Sequence, residues 1–323
     1  METPDFLKVA ADAPLHEAFC VGGWPCEIHT NRGRVLAAAR ECFPSVCHPT
    51  GLQSLHMTLW VDEGSHVKER RLTPYVRGLD ELVFAGFDEA NSALVNLGQL
   101  SICGRFSSDV GDNPAAWKNT IFPVLLSILG GSLGIVELHG ACVARNNKGL
   151  LLIGGGRSGK STLSMALAMS GFSFLSDDRT YCSLHEGTLW AWAVPAQAKL
   201  RRESVGFFEV LQEQGAADND TDFRFDPEEK LKLKHVGKCR PHWLVFLDRV
   251  EDQQFELSEI DAADAAALIE QDLMAEGAER VALQDRTIES LIVLPRARLV
   301  YGGHPREVAA QLSRAFERVG LTT

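Results

Sequence analysis

No two of the chain's eight cysteines (Cys20, Cys26, Cys42, Cys47, Cys103, Cys142, Cys182, Cys239) stand at C-x-x-C spacing, so neither a thioredoxin-like pair nor a paired zinc knuckle is written here. The opening METPDFLKVAADAPLHEAF has no basic start, apolar run and small-residue cleavage site, so export is not expected and the thiols are expected to stay reduced in a cytoplasmic protein. Basic charge is in short supply as well. The 32 Lys and Arg face 43 Asp and Glu, a net charge of -11, which argues against nucleic acid or an anionic membrane as partner. A clean membrane span is missing too: the longest stretch free of charged residues and histidine, 18 residues from Asn119 to Val136, is broken by Pro123 and Gly130-Gly131 and reads as a buried helix followed by a strand. No repeat period is visible. The one arrangement resembling a metal site is Cys42, Cys47 and His48 in ECFPSVCH, with Cys20, Cys26 and His29 upstream; the spacings fit no closed zinc pattern, and a buried thiol pair at a helix end is the alternative.

What is present is enough apolar material to fold. Hydrophobic residues make up 45% of 323 positions, a length that suits two packed units or one large unit with an extension. Val35, Leu36, Ala39 and Phe43 stand at helical spacing, SLHMTLWV at 54–61 reads as a strand, and LVFAGF, SALVNL and QLSICGRF read as a meander of strands. Asp112 before Pro114 has the look of a helix cap, with Pro123 dividing the helix and Gly130-Gly131 ending it. IVELHGACVA and GLLLIG, joined by the turn RNNKG, predict two antiparallel strands, with a domain boundary near residue 130. Further on, TYCSL and TLWAWAV flank HEG as a hairpin, a helix is expected from Glu203 to Gln212, and GAADNDTDFRFDPEEK reads as a loop. HWLVFL at 242–247 is a strand, two helices follow around 260–291, and ESLIVLPRARLVYGG predicts a strand pair before a terminal helix from His304.

The stretch GLLLIGGGRSGKSTL carries the chemistry. Gly154, Gly159, Lys160 and Ser161 meet the pattern G-x-x-x-x-G-K-[ST], after an apolar strand and at the opening of a helix that closes on Gly171. Glycines let successive N–H groups turn inward around phosphate, the helix start adds partial positive charge, the lysine reaches the β and γ oxygens, and the serine hydroxyl can bind Mg²⁺. The cradle then comprises Gly154, Gly155, Gly156, Arg157, Ser158, Gly159, Lys160, Ser161 and Thr162. Asp177 and Asp178 end the strand FSFLS that follows the loop's helix. A right-handed crossover puts the ends of both strands on one sheet edge, so the acids face the phosphates. One carboxylate can accept a proton from an attacking hydroxyl while another orients the metal; a turn or cap role is the plainer alternative. His139, in an apolar strand, reads by itself as a packed core group.

The succession LHGA, GLLLIGGGRSGKS, a short helix ending in Gly171, and FLSDD resembles the catalytic domain of HPr kinase/phosphorylase and its related serine kinases, among them those that phosphorylate lasso-peptide precursors. Residues 135–200 carry the resemblance. It implies an α/β fold: a phosphate-loop kinase domain of the HPr kinase and PEP-carboxykinase type over 131–323, after an N-terminal α+β domain over 1–130. It further implies ATP and Mg²⁺, transfer of the γ-phosphoryl to a serine of a peptide or protein, Asp177 as general base, Asp178 and Ser161 at the metal, and His139 and Lys160 at the phosphates. HPr-type enzymes are hexameric, which leaves a homo-oligomer open. The sequence departs from HPr kinases proper at Thr162, where they carry an acid, and in VPAQAKLRRESVGFF, where they carry an E-I-R-G-x-G-like element; Glu203 is the remaining candidate for a second metal ligand, and the branch expected is the peptide kinases. Lys230, Lys232, Lys234, Lys238 and Arg240 read either as a flap meeting the phosphoryl group or as a solvated loop. A small-molecule kinase and a nucleotide-sensing ATPase module are the competing functions.

Overall fold

A computed structural model describes residues 13–44, 53–63, 72–195, 198–212, 222–270 and 278–319. It is a mixed α/β protein that divides into two compact units, Met1–Ile135 with Met274–Gln284, and Val136–Leu273 with Asp285–Thr323.

The first unit holds a seven-stranded sheet in the order β1-β2-β3-β7-β6-β5-β4. Its strands are β1 (Leu15–Val21), β2 (Trp24–Thr30), β3 (Leu55–Val61), β4 (Tyr75–Leu79), β5 (Leu82–Gly86), β6 (Ser92–Asn96) and β7 (Ser101–Phe106). In β3 the buried side chains are Leu55, Met57, Leu59 and Val61, the period-2 pattern of a sheet with one face on a core. Helix Gly33–Cys42 carries the chain from β2 to its parallel neighbour β3. The run 114–133 is one helical path in three pieces: Pro114–Ala116, a π turn Trp117–Ile121, and Phe122–Leu133 with Pro123 at its start. Proline lacks an N–H, and the wider turn before it absorbs the lost bond. The cap is Asn113, whose side chain accepts from the N–H of Ala115 and Ala116; the expected cap Asp112 instead accepts from Arg32 Nε at 2.9 Å. The helix also runs past Gly130-Gly131 to Leu133, where Gly134 at φ 63 ends it and the Gly134 and Ile135 N–H groups close on the carbonyls of Gly131 and Gly130. Burial lifts the Cys42 thiol to about 12, while Cys47 and His48 lie outside the described residues.

The second unit is built on a nine-stranded sheet. It contains β8 (Val136–Leu138), β9 (Gly140–Arg145), β10 (Lys148–Ile153), β11 (Ser173–Ser176), β12 (Thr180–His185), β13 (Thr188–Trp192), β16 (Lys238–Arg249), β17 (Phe255–Glu259) and β18 (Arg296–Tyr301). A separate pair joins β14 (Ala198–Arg201) to β15 (Asp222–Phe225). The continuous apolar run of β10 follows from its place between β9 and β16 with both faces covered: Leu150 and Leu152 join the core under helices Lys160–Met169 and Pro305–Arg318, while Leu151 and Ile153 join the core under Ala262–Glu270. Helix Lys160–Met169 is buried nearly all round, so it shows little amphipathic stripe. The HEG hairpin turns on Glu186 and Gly187, both at positive φ.

Several expectations are corrected here. The span 203–212 is two short helices, Arg202–Val205 and Glu209–Gln212, separated at Gly206. Within the expected loop 215–230, residues 222–225 form β15 and Pro227–Leu231 a helix capped by Asp226. ESLI at 289–292 ends helix Ala278–Ile292 instead of forming a strand, and β18 pairs with β17, an edge strand of weak apolar alternation. Among the described residues no helix is long and apolar enough to cross a membrane.

Beneath the strand that leads to the phosphate-type loop, Gly149 lets the thiols of Cys142 on β9 and Cys239 on β16 approach to 3.7 Å. A Cβ at 149 would lie 2.7 Å from Cys239 Sγ and 3.3 Å from the Arg240 carbonyl oxygen. Gly149→Ala should therefore lower stability by about 1–3 kcal/mol through overpacking, and Cys239→Ala in the same chain should recover part of it; a denaturant titration of the two variants and the double variant reads the coupling.

Candidate active site

Strand β9 is antiparallel to both of its neighbours, β10 and β11. The two outer strands consequently run parallel and end at the same sheet edge, where β9 begins. This is the crossover geometry expected from sequence, with one strand inserted. It brings three segments to that edge: the loop 154–159 after Ile153, the SDD turn after β11, and His139 just before Gly140.

The loop is a glycine cradle of defined shape. Gly159 has φ 87, and a Cβ there would collide with the Tyr301 hydroxyl; a Cβ at Gly154 would lie 2.7 Å from Ser158 Oγ, whereas Gly155 and Gly156 face open space. Tyr301 donates to the Ser158 carbonyl at 2.6 Å and anchors the loop from beneath; burial pushes its phenol up to about 12, so it stays a donor. Ser158 Oγ is buried with no hydrogen-bond partner among the described residues. Arg157 is exposed at φ 68. Lys160 is 6% exposed and curls over the loop, its Nζ donating to the carbonyls of Gly154 at 2.6 Å and Gly155 at 3.0 Å. Helix Lys160–Met169 starts at this point, presenting first-turn N–H groups that lack intrahelical acceptors. An orphaned hydroxyl, two glycines with room over them and a curled lysine fit a phosphate chain. Thr162 turns inward, its hydroxyl donating to Ser204 Oγ at 3.0 Å.

The acids sit beside the helix start. Ser161 Oγ donates to the Asp177 carbonyl at 3.4 Å, tying helix to turn. Asp177 is 8% exposed, and its Oδ2 accepts the Lys199 N–H at 2.7 Å. Burial pushes its carboxyl up to about 7, against the lowering effect of that hydrogen bond and with the Asp178 charge adding to the rise. Asp178 is exposed and faces His139, Oδ1 to Nδ1 3.7 Å. The turn is pinned from behind by Ser176 and Thr180, whose hydroxyls meet at 2.5 Å, Thr180 also donating to the Gly140 carbonyl at 2.9 Å. His139 itself occupies the exposed break between β8 and β9, not an apolar strand position.

Two expectations gain no support from geometry. Glu203 stands exposed on the short helix 202–205, and among the described residues no three His, Cys, Asp or Glu side chains form a metal cluster. Mg²⁺ on a phosphate chain needs only one or two protein oxygens; Ser161 lies in the first turn of the helix after the cradle and Asp178 stands exposed on the neighbouring turn. The flap reading of the basic segment is corrected for Lys238 and Arg240. They begin β16, over Trp190, and Arg240 lies opposite Lys148 at the start of β10, about 20 Å from the loop.

Sequence reasoning missed Tyr301, Lys199 and the pair Asp248–Arg298, whose side chains meet at 2.6 Å. Asp248 had a signal: an apolar run ending in an acid, on the strand parallel to β10. Lys199 acts through its backbone N–H and Tyr301 through a carbonyl 143 residues away, neither of which leaves a sequence mark.

No protein-family model matches the chain, and no curated protein is detectably similar to it. Among solved structures, it is similar to an HPr(Ser) kinase/phosphatase from Coxiella burnetii at 14% identity and a TM-score of 0.32, over 58% of this chain and 91% of that one. No residue role follows from that likeness.

The raised carboxyl of Asp177 has a stability consequence. Between about pH 4 and 7 the folded chain holds a proton that the unfolded chain has released, so stability falls as pH rises through that window. Asp177→Asn, which keeps an acceptor for Lys199, should thus be more stable than the parent at pH 8 by roughly 2–4 kcal/mol and similar to it at pH 4; thermal melts at the two pH values give the comparison.

Proposed function

We propose that the chain is an ATP-dependent, Mg²⁺-assisted kinase that transfers the γ-phosphoryl group to a serine hydroxyl of a peptide or protein. The observation that carries this reading is the buried Asp177, with a carboxyl near neutrality, tied through Ser161 to the helix that opens at the glycine cradle. An alcohol acceptor must lose its proton as the new P–O bond forms, and a carboxylate at this place can take it; a hydrolase would use the same group on water, so the identity of the product separates the two.

Each residue has a share in the work. The N–H groups of 155–162 and Lys160 hold the β and γ phosphates, Lys160 exchanging its contacts to the Gly154 and Gly155 carbonyls for phosphate oxygens. Ser161 Oγ and Asp178 are the residues that would hold Mg²⁺, directly or through its water, and the ion would supply neutralisation of the charge on the phosphates. Asp177 takes the serine proton, held at the right angle by the Lys199 N–H. Near pH 7 about half of the molecules carry it as carboxylate. His139 faces Asp178 and lies beside the first glycines of the loop.

Two measurements test the assignment. Asp177→Asn should lose about 10²–10⁴-fold in transfer with nucleotide affinity little changed, because a base acts on the acceptor; Lys160→Ala should weaken both. In the parent, kcat/KM should climb about tenfold per pH unit below pH 7 and level off above it, since only the carboxylate accepts a proton. Labelled ATP with peptide, metabolite or no acceptor identifies the product class, and near-parental turnover in Asp177→Asn removes the assigned role.

A further inference from the structure

Arg249, the last residue of β16, lies against the cradle on the flank away from the two aspartates. We propose that it is a nucleotide-binding residue, its guanidinium holding the β phosphate. This rests on the nucleotide part of the kinase reading and adds a residue to it.

Register fixes the position. β16 is parallel to β10, with Phe246 level with Ile153, and it runs on to Arg249 while the chain after Ile153 turns into the glycine loop. Side chains alternate along a strand. Leu247 therefore shares a face with Arg249, as does Tyr301, the residue opposite Arg249 on β18, and this is the face covered by helix Lys160–Met169. Asp248 points the other way, where it pairs with Arg298 and lines a cavity of about 840 Å³. The stem of Arg249 reaches the loop: its Cδ stands 3.7 Å from the place a Cβ on Gly159 would take. Its charge also acts on the Tyr301 phenol, whose hydroxyl holds the Ser158 carbonyl.

Two separate groups at this loop call for a ligand. Arg249 is exposed, and neither an ion pair nor a side-chain hydrogen bond engages it among the described residues. In a chain with 43 acidic against 32 basic side chains, a guanidinium with no carboxylate beside it is open to an anion from solution. Ser158 Oγ, in the loop itself, is buried with no hydrogen-bond partner among the described residues. Phosphate oxygens answer both, the first by a charge-assisted bond and the second by accepting the hydroxyl proton.

The lysine tells which phosphate is meant. Lys160 Nζ lies at the far end of the loop, on the carbonyls of Gly154 and Gly155. That lysine reaches the β and γ groups, while loop N–H groups cradle the α and β groups. An arginine against Gly159, beside the helix start, meets the chain at the β group. Its planar fork can give two N–H groups to one phosphate, which an ammonium cannot do with the same geometry.

The test compares three nucleotides. Fluorescent AMP, ADP and ATP analogues are titrated with Mg²⁺ into the full chain, into Arg249→Ala and into Arg249→Lys, and the labelled-ATP transfer assay is run on the same proteins. Arg249→Ala should bind ADP and ATP about 10–100-fold more weakly and AMP as the parent does, since AMP has no β phosphate to lose; Arg249→Lys should recover part of the loss. KM for ATP should rise in step, with kcat at saturating ATP within about threefold of the parent. Packing against Gly159 alone would instead weaken all three nucleotides together and lower the melting temperature of the nucleotide-free protein. That pattern, an unchanged ADP affinity in Arg249→Ala, or a loss confined to ATP overturns the proposal. ADP binding that depends on Arg249, with no phosphate transferred to any acceptor, supports Arg249 and sinks the kinase reading, whereas a parent that binds none of the three sinks both.

Discussion

One buried carboxyl group constrains the architecture of the second unit. Asp177 gives up water at the end of an edge strand and receives backbone N–H groups, that of Lys199 at 2.7 Å and its own, in return, an exchange that disfavours its charge and costs stability above neutral pH. The surrounding framework is arranged to hold it there: Ser176 and Thr180 brace the turn from behind, Thr180 ties it to the first residue of β9, and Ser161 connects it to the loop's helix. A buried carboxyl keeps one position only if its turn is fixed, and these hydroxyls supply that restraint.

The same edge of the sheet collects opposite charges by topology. Because β9 runs against both neighbours, its beginning and the ends of β10 and β11 coincide; His139, the glycine loop and the two aspartates meet without any long loop. The phosphate-type loop is in turn supported from a distance, by a tyrosine from the last strand whose hydroxyl occupies the space a side chain at Gly159 would need. Glycine at 159 thus answers two demands together, a positive φ and the close approach of Tyr301.

Beyond β10 the sheet changes character. On one side lie the tuned acid and the exposed Asp178–His139 pair. On the other, β16 ends in Asp248 and opens an acidic cavity whose outer wall is an edge strand. The cradle lies between the buried Asp177 and this recess.

Local order decided what was legible in the sequence. The cradle, the helix after it, the two acids and the alternating strands of the meander are contiguous patterns whose geometry follows from glycine freedom, helix spacing and period-2 burial. The helix cap at 113, the split of 202–212 and the strand at 255–259 escaped because adjacent residues of similar propensity compete there, and tertiary contacts choose among them. The chain's sequence by itself determined that a phosphate-type loop would be followed by a pair of carboxylates. Only the tertiary structure decided that Asp177 is the buried one and Asp178 the exposed one, that Lys199 and Tyr301 support them, and that β17 walls a cavity; burial and hydrogen bonds between residues 22 and 143 positions apart are properties of packing that no window along the chain contains.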